Sequence, residues 1–329
     1  MQISTLVFNV ALLFIMMVPG FIMIKTRLCD EGFSKGISNL VLYIAQPALI
    51  IYSYIDFDGK FSDIWQNLLA VFFLSIFAHA LFSVIALLFF RNAPDSKRRV
   101  LRFVTVFSNA AFMGIPLVQA ILGSEFAIYA SIYNITFNIF LWTFGVYLCT
   151  SGRCDEDEDS DAAHKGGPLK AAIRLIIHPV TLASIVGISL LAFGVNTKSF
   201  DLGLFEDSLF MLKNLVAPLS MLVIGLKIAN VNFKQAFNDV YLYFFLFLRH
   251  FLLPLAVIIY IQILGVIGIP ISDDAALVTV ILAATPAATS AAMFAVKYDC
   301  DVEYTTRLVT ISTLLSIATI PLMVWLISL

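Results

Sequence analysis

Long hydrophobic segments separated by short polar ones follow each other along almost the whole chain. A helix needs about 20 apolar residues to cross roughly 30 Å of hydrocarbon. Segments of this kind lie at approximately 5–24, 36–55, 67–90, 100–121, 126–148, 171–193, 208–229, 240–264, 275–296 and 304–327. Polar residues and prolines dilute the second, seventh and ninth, as expected of spans that line a polar cavity. The pattern predicts an all-α polytopic membrane protein with ten transmembrane helices.

Proline and small polar residues interrupt the fourth and ninth of these spans. The interruptions are the segments Ser108–Pro116 and Leu282–Ser290. Proline removes a backbone donor and clashes with the preceding helical turn. Within lipid, a broken helix survives only where protein or a watery cavity satisfies the freed backbone groups. Paired breaks are typical of secondary transporters, whose substrate sites lie near the bilayer midplane.

The two halves of the chain resemble each other. Pro47 and Pro218 are 171 positions apart, and Pro116 and Pro286 are 170 positions apart. Each half holds five spans, an odd number, so the second half enters the membrane in the opposite orientation. We therefore expect a 5+5 inverted repeat in which broken helices 4 and 9 cross. The expected divisions are a first five-helix repeat at 1–149, an acidic cytoplasmic linker at 150–170 and a second repeat at 171–329.

The linker contains the one block of like charge, Cys154-Asp-Glu-Asp-Glu-Asp-Ser-Asp161. A run of this kind has nothing to bury and is interpreted as a solvated connection. A regulatory or cation-sensing tail is the alternative.

Composition and charge refine this picture. A hydrophobic content of 60% with 13% charged residues excludes a soluble domain. Alternate loops carry 16 basic residues on one side and only Lys60 and Lys198 on the other. Basic residues concentrate in cytoplasmic loops, so the chain is expected in the cytoplasmic (inner) cell membrane with both termini outside.

The first span lacks a basic leader and is interpreted as a retained helix. The cysteines fall on or beside the cytoplasmic side, so we expect no disulfide.

The interrupted spans supply the candidates for a substrate site. They are Asn109, Gly114, Pro116, Gln119, Thr285, Pro286, Thr289 and Ser290. Pro116 and Pro286 are each expected at or near the first turn of a half-helix, whose positive dipole end suits a carboxylate. Asn109 and Thr285 would add neutral hydrogen bonds, and Gly114 would let the broken chains approach closely. The alternative is that these small residues only let helices pack tightly.

Ionisable residues within the spans are a second group of candidates. His79 is a candidate carrier of a coupling proton or a simple interhelical hydrogen-bonding group. Arg249 could attract the anion, extend its charged end to the membrane–water interface, or pair with an acidic residue. Asn134 and Asn138 share one helix face and are interpreted as packing residues. No acidic residue stands in the middle of a span, so the coupling ion is left open between H⁺, Na⁺ held by carbonyls and hydroxyls, and none.

The run Ser108-Asn-Ala-Ala-Phe-Met-Gly-Ile-Pro-Leu-Val-Gln119, continuing to Gly123, closely resembles the fourth-span motif of the auxin efflux carrier family. Thr285–Ser290, Phe294–Tyr298 and the tail from Ser312 to Pro321 resemble its second-half signature. The resemblance implies a ten-helix fold similar to that of bile-acid sodium symporters, with scaffold and crossover domains and often a homodimer. The short central loop resembles that of bacterial malate and malonate permeases rather than that of the plant PIN-FORMED carriers with long loops.

The expected function is therefore secondary transport of a small organic anion, such as malate, malonate or an auxin-like acid, by alternating access at the helix 4/9 crossover. An intramembrane protease would need paired His and Glu at helical spacing, a pattern that His79, His164, His178 and His250 do not form. Cys149, Cys154 and His164 fit no zinc spacing. We expect no enzyme activity, no metal or other cofactor and no nucleic-acid partner. The expected partners are the substrate, membrane lipid and a second copy of the chain in a homodimer. A sensor or receptor on a transporter fold is the alternative.

Overall fold

The computed structural model describes residues 3–151, 177–195, 197, 202–229, 239–269 and 271–327. These residues are almost entirely helical, and the extended backbone among them forms one isolated antiparallel bridge, between Ser108 and Ala287. The predicted linker at 150–170 lies outside the described residues from position 152 onward.

The α-helices in this part of the chain are α1 (Ile3–Ile15), α2 (Met17–Lys25), α3 (Glu31–Leu40), α4 (Gln46–Ile55), α5 (Phe61–Phe89), α6 (Asp95–Val106), α7 (Ile115–Ile121), α8 (Ala127–Phe140), α9 (Val146–Thr150), α10 (Pro179–Ala192), α11 (Gly203–Lys213), α12 (Val216–Ile228), α13 (Val240–Phe247), α14 (Leu253–Val266), α15 (Asp273–Ala284), α16 (Ala291–Lys297) and α17 (Val302–Ile327). Wider π-helical turns join several of them, at Val41–Ala45, Ala110–Gly114, Leu141–Gly145 and Leu248–Leu252.

Seven helical segments among the described residues are long and apolar enough to cross a membrane. They are Phe8–Lys25, Gly32–Ile55, Phe61–Phe89, Ser124–Thr150, Gly203–Ile228, Val240–Val266 and Val302–Ile327. Each overlaps one of the spans expected from the hydrophobic pattern. The all-α membrane fold predicted from the sequence is confirmed at this level.

The other three expected spans contain breaks. The fourth stops at Val106 and resumes at Ala110, and the ninth stops at Ala284 and resumes at Ala291. The sixth was expected at 171–193, but its helix α10 starts at Pro179. A residue before proline avoids helical backbone angles, and His178 accordingly has φ −63° and ψ 128°. Residues 171–176 of that span are not among those described.

The helices form two packed groups. In the first, α10 packs along α4 and α12 packs along α2, with α3 and α11 completing the group; we call it the scaffold group. The second consists of α5–α9 and α13–α17 around the two broken spans; we call it the crossover group. Helix α1 contacts both.

Proline explains where three of the π-helical turns occur. Pro47, Pro116 and Pro254 each stand at the second position of the α-helix that follows such a turn. In an α-helix the proline ring clashes with the carbonyl four residues back, and a wider turn relieves that clash. Pro116 thus lies in the first turn of α7, near the start of its half-helix as predicted, although the wide turn Ala110–Gly114 precedes it. The same prediction is wrong for Pro286, which lies in the non-helical break well before α16 begins at Ala291.

Pro116 leaves one carbonyl for another partner. In the wide turn, an N–H at position 116 would donate to the Ala111 carbonyl, and proline has none. The Gln46 side-chain amide of α4 donates to that carbonyl instead, at 2.7 Å. The scaffold and crossover groups are thereby joined at this point.

Helices α2 and α12 approach until their backbones touch. A Cβ atom added at Gly225 would lie 2.0 Å from the Met17 carbonyl oxygen, and one at Gly20 would lie 2.3 Å from the Leu222 carbonyl oxygen. Small residues at a crossing allow this close approach within a membrane.

We predict that Gly225→Ala destabilises the protein by about 1–3 kcal/mol, the usual cost of overpacking. The cause is that the two helices must separate to admit the methyl group. Gly265→Ala is the matched control, because a Cβ there meets nothing within 4 Å. Thermal unfolding in detergent measures both variants, and equal melting temperatures would contradict the contact.

Candidate functional site

The two broken spans meet at their breaks through main-chain hydrogen bonds. The Asn109 N–H donates to the Pro286 carbonyl at 2.7 Å, and the Ala288 N–H donates to the Phe107 carbonyl at 2.9 Å. These two bonds form the antiparallel bridge between Ser108 and Ala287. Each break thus provides hydrogen-bond partners for backbone groups of the other break that have no partner within a helix.

Arg249 satisfies the carbonyl ends of both interrupted helices. Its Nε and Nη2 donate to the Thr285 carbonyl at 3.1 and 2.7 Å, and Nη2 also donates to the Ala283 carbonyl at 2.8 Å. Its Nη1 donates to the Thr105 carbonyl at 3.1 Å. The side chain is fully buried. A cation at the negative ends of two helices is favourable, so Arg249 holds α6 and α15 together where they stop.

The neighbouring His250 supports the ninth-span break through Ser312 of α17. The Ser312 hydroxyl accepts the Ala287 N–H at 3.0 Å and lies 2.9 Å from His250 Nε2. His250 Nδ1 lies 2.9 Å from the Thr319 hydroxyl. Each ring nitrogen therefore has a hydroxyl partner, and the break is fixed from a second side.

A cavity of about 260 Å³ lies on the opposite face of the crossing, between the two helix groups. Its polar lining comes from the crossover group, at Ser108, Asn109, Asn134, Asn138, Thr289 and Ser290, and from the scaffold group, at Tyr43 and His178. Its apolar lining includes Phe137, Trp142, Met293 and Phe294. A concave, mainly apolar space with a few convergent polar groups is the usual form of a small-molecule site.

Asn109 is the polar residue best placed to meet a ligand there. Its side chain is 2% exposed, and its Oδ1 accepts a long hydrogen bond from the Thr289 hydroxyl at 3.4 Å. Its Nδ2 has no hydrogen-bond partner among the described residues. A buried amide donor of this kind is costly unless something accepts from it. An acceptor bound in the cavity would supply that missing bond.

Of the substrate-site residues predicted from the sequence, Asn109, Thr289 and Ser290 line this cavity, whereas Gly114, Pro116, Gln119, Thr285 and Pro286 do not. Thr285 turns its hydroxyl to the Leu282 carbonyl of its own helix, at 2.8 Å. Gly114 lets the two spans approach, since a Cβ there would lie 2.5 Å from Leu282 Cδ2. Pro286 contributes its carbonyl to the bridge.

The two ionisable candidates lie away from the cavity. His79 is fully buried, its Nδ1 lies 2.7 Å from the Ser75 carbonyl, and its ring packs near Tyr133, Phe137 and Phe140. The Arg249 side chain is buried, so it does not reach the membrane–water interface, and it does not line the cavity. Its donors are directed to main-chain carbonyls.

Sequence reasoning missed several cavity residues. Asn134 and Asn138 were assigned to helix packing, yet both line the cavity. Their four-residue spacing on one helix face was the available signal. His178 was not selected at all, although a polar residue directly before a proline inside a hydrophobic span signals a break there.

The sequence as a whole is similar to those of known membrane transporters. A model of the family described as membrane transport protein, the auxin efflux carrier family, matches residues 5–324. The chain belongs to this family. It is also 24% identical over 312 residues to an uncharacterized transporter of Methanothermobacter thermautotrophicus, covering 94% of each chain. The protein is therefore a membrane transporter and not an enzyme.

We predict that Arg249→Gln lowers the stability of this transporter by several kcal/mol. The shorter neutral side chain leaves buried carbonyls unpaired at about 1–3 kcal/mol each and removes the charge at the helix ends. Arg91→Gln makes the same change at an exposed position and should shift stability by less than about 0.5 kcal/mol. Melting temperatures in detergent test the pair. A normal melting temperature for Arg249→Gln would show that the crossing does not need this residue.

Proposed function

We propose that the transporter carries a small organic anion, a carboxylate such as malate, malonate or an auxin-like acid, through the cavity at the crossover. The observation that carries the proposal is the buried, unpartnered amide donor of Asn109 in that cavity. Ala111 and Phe112, from the first turn of the half-helix Ala110–Ile121, line the same space. Main-chain N–H groups at a helix start favour an anion.

The size and the apolar walls of the cavity support a compact organic ligand. Its volume of about 260 Å³ is below the roughly 300–1,000 Å³ of pockets for drug-sized molecules. Trp142 and Phe294 pack together, with ring centroids 5.4 Å apart. Aromatic walls suit a carbon skeleton, while Asn109 and the helix start suit a carboxylate.

The placement of the cavity between two helix groups supports alternating access. At the end of the molecule where α4 meets α11, the buried Lys213 closes the interface between the groups. Its ammonium lies 3.7 Å from the Tyr52 ring centroid in the scaffold group and donates to the Ser124 hydroxyl of the crossover group at 3.2 Å. At the other end, Lys297 lies over Trp142 beside the cavity. We infer that the cavity faces the side that carries the basic loops and is closed on the opposite side.

We also propose the finer architecture of ten spans in a 5+5 inverted repeat, in the cytoplasmic membrane with both termini outside. Support comes from the paired breaks that meet in an antiparallel bridge and from the charge asymmetry of the loops.

We predict that Asn109→Ala weakens binding of the carried carboxylate about 10- to 100-fold, because a hydrogen bond to a charged group is worth about 1.5–3 kcal/mol. Thr285→Val is the matched control, since the Thr285 hydroxyl is bonded within its own helix outside the cavity. Calorimetry with malonate, malate and indole-3-acetate measures affinity, and radiolabelled flux into proteoliposomes measures transport.

Each result of that experiment has a distinct meaning. Normal affinity and flux in Asn109→Ala would remove the cavity from the mechanism. Binding without flux in the wild type would favour a sensor over a carrier.

We predict that a cysteine at Lys60 reacts with a membrane-impermeant thiol reagent added to intact cells, whereas a cysteine at Arg91 does not. The native cysteines are first replaced by serine. Both positions are exposed and lie in successive loops, at the two ends of α5. Since basic loops stay in the cytoplasm, labelling at position 91 alone would reverse the proposed orientation.

A further inference from the structure

The charge of a bound carboxylate needs a counterpart in the cavity. Among the described residues that line it, none carries a permanent charge, and the titratable ones are Tyr43 and His178. Arg249 cannot serve, because it is fully buried behind the crossing and its donors are bonded to the carbonyls of Thr105, Ala283 and Thr285. His178 is therefore the lining residue whose side chain can take up a proton and become a cation.

The position of His178 suits this role. It stands just before α10, at the edge of the scaffold group, and lines the cavity opposite the crossover residues Asn109 and Thr289. Its Nδ1 lies 3.4 Å from Nδ2 of the buried Asn138. The amide of Asn138 can turn to offer either its NH₂ or its oxygen, so it can satisfy Nδ1 of both the neutral and the protonated ring.

The start of α10 makes protonation depend on the ligand. Burial of the ring disfavours the cation, and so does the positive end of the helix beside it, so the empty cavity favours the neutral imidazole. A carboxylate bound next to the ring favours the imidazolium. By linkage, a ligand that stabilises the protonated form takes up a proton when it binds.

Other titratable groups on the elements packed against α10 do not face this space. They are Tyr52 and Tyr54 on α4, Tyr129 and Tyr133 on α8, and Asp63 and His79 on α5, and none of them lines the cavity. Tyr43, on the turn before α4, does line it, but a phenol cannot become a cation.

We propose that His178 is the charge-matching residue of the carrier, so that the organic anion and one proton occupy the cavity together. This inference rests on the proposed function. It assigns the proton to His178 rather than to His79, the residue that the sequence suggested.

Calorimetry of the purified full-length protein with malonate tests the proposal. Titrations run from about pH 6.5 to 8.5, where carboxylates stay ionised, in two buffers of different ionisation enthalpy. In the wild type we expect uptake of up to one proton per malonate. We expect the Kd to rise by up to about tenfold per pH unit wherever the ring is neutral in the free protein and protonated in the complex. In His178→Gln, whose amide still bonds to Asn138, we expect no proton uptake and a Kd independent of pH.

Two further variants make the test decisive. His79→Gln removes a histidine that does not line the cavity and should keep the wild-type proton uptake. His178→Lys supplies a fixed charge and should bind malonate at pH 8.5 at least as tightly as the wild type does at about pH 6.5, without proton uptake. It also provides the answer if His178→Gln does not fold.

The possible failures are distinguishable. Malonate binding without proton uptake in the wild type, or with unchanged uptake in His178→Gln, would overturn the role of His178 and leave the transport proposal standing. If the wild type binds none of malonate, malate and indole-3-acetate, the organic-anion function fails and this inference fails with it.

Discussion

The whole arrangement depends on how two helices can end inside hydrocarbon. Each ending leaves up to four carbonyls without helical partners, and the hydrocarbon holds no water that could donate hydrogen bonds to them. Arg249 meets this need with a rigid fork of five donors, bonded to carbonyls of both α6 and α15. Its positive charge also neutralises the partial negative charge at the carbonyl ends of both helices. A lysine carries the charge but lacks the planar fork of donors. Arginine is therefore the side chain that can donate to carbonyls of both helix ends from a single position between them.

Because Arg249 is bonded to the carbonyl ends, the side of the crossing that faces the cavity has a different electrostatic character. The carbonyl ends are neutralised by Arg249, whereas the half-helix Ala110–Ile121 starts at the cavity with no described anion beside it. Asn109 adds an unpartnered amide donor at the same place. The crossing therefore presents partial positive charge to the cavity without a permanent cation. Partial positive charge favours the anion that we propose as substrate, and the proposed proton on His178 would balance the full charge of that anion.

The hydrophobic pattern was enough to predict the class of fold and the position of both breaks, because lipid imposes segment length and backbone satisfaction directly on the sequence. Of the substrate-site residues predicted from the sequence, Asn109, Thr289 and Ser290 line the cavity. The pattern misplaced Pro286, which lies in the non-helical break before α16 and not in the first turn of a half-helix. The partners of Arg249, and the approach of His178 to Asn138, arise from tertiary packing between distant spans. No local pattern encodes such contacts.

The rigidity of the crossing limits where movement can occur. Arg249, His250 and Ser312 tie both breaks to α17 and to the wide turn between α13 and α14, so the crossing is unsuited to opening by itself. Side-chain bonds between the helix groups are more scattered: Gln46 to Ala111, Tyr54 to Ser131, Asn138 to His178 and Lys213 to Ser124. Packed groups of this kind can slide with small local changes. Because His178 lies on the scaffold side of that interface and its partner Asn138 on the crossover side, the proton and anion that we propose to bind between them would act at the interface where the two groups would separate in alternating access.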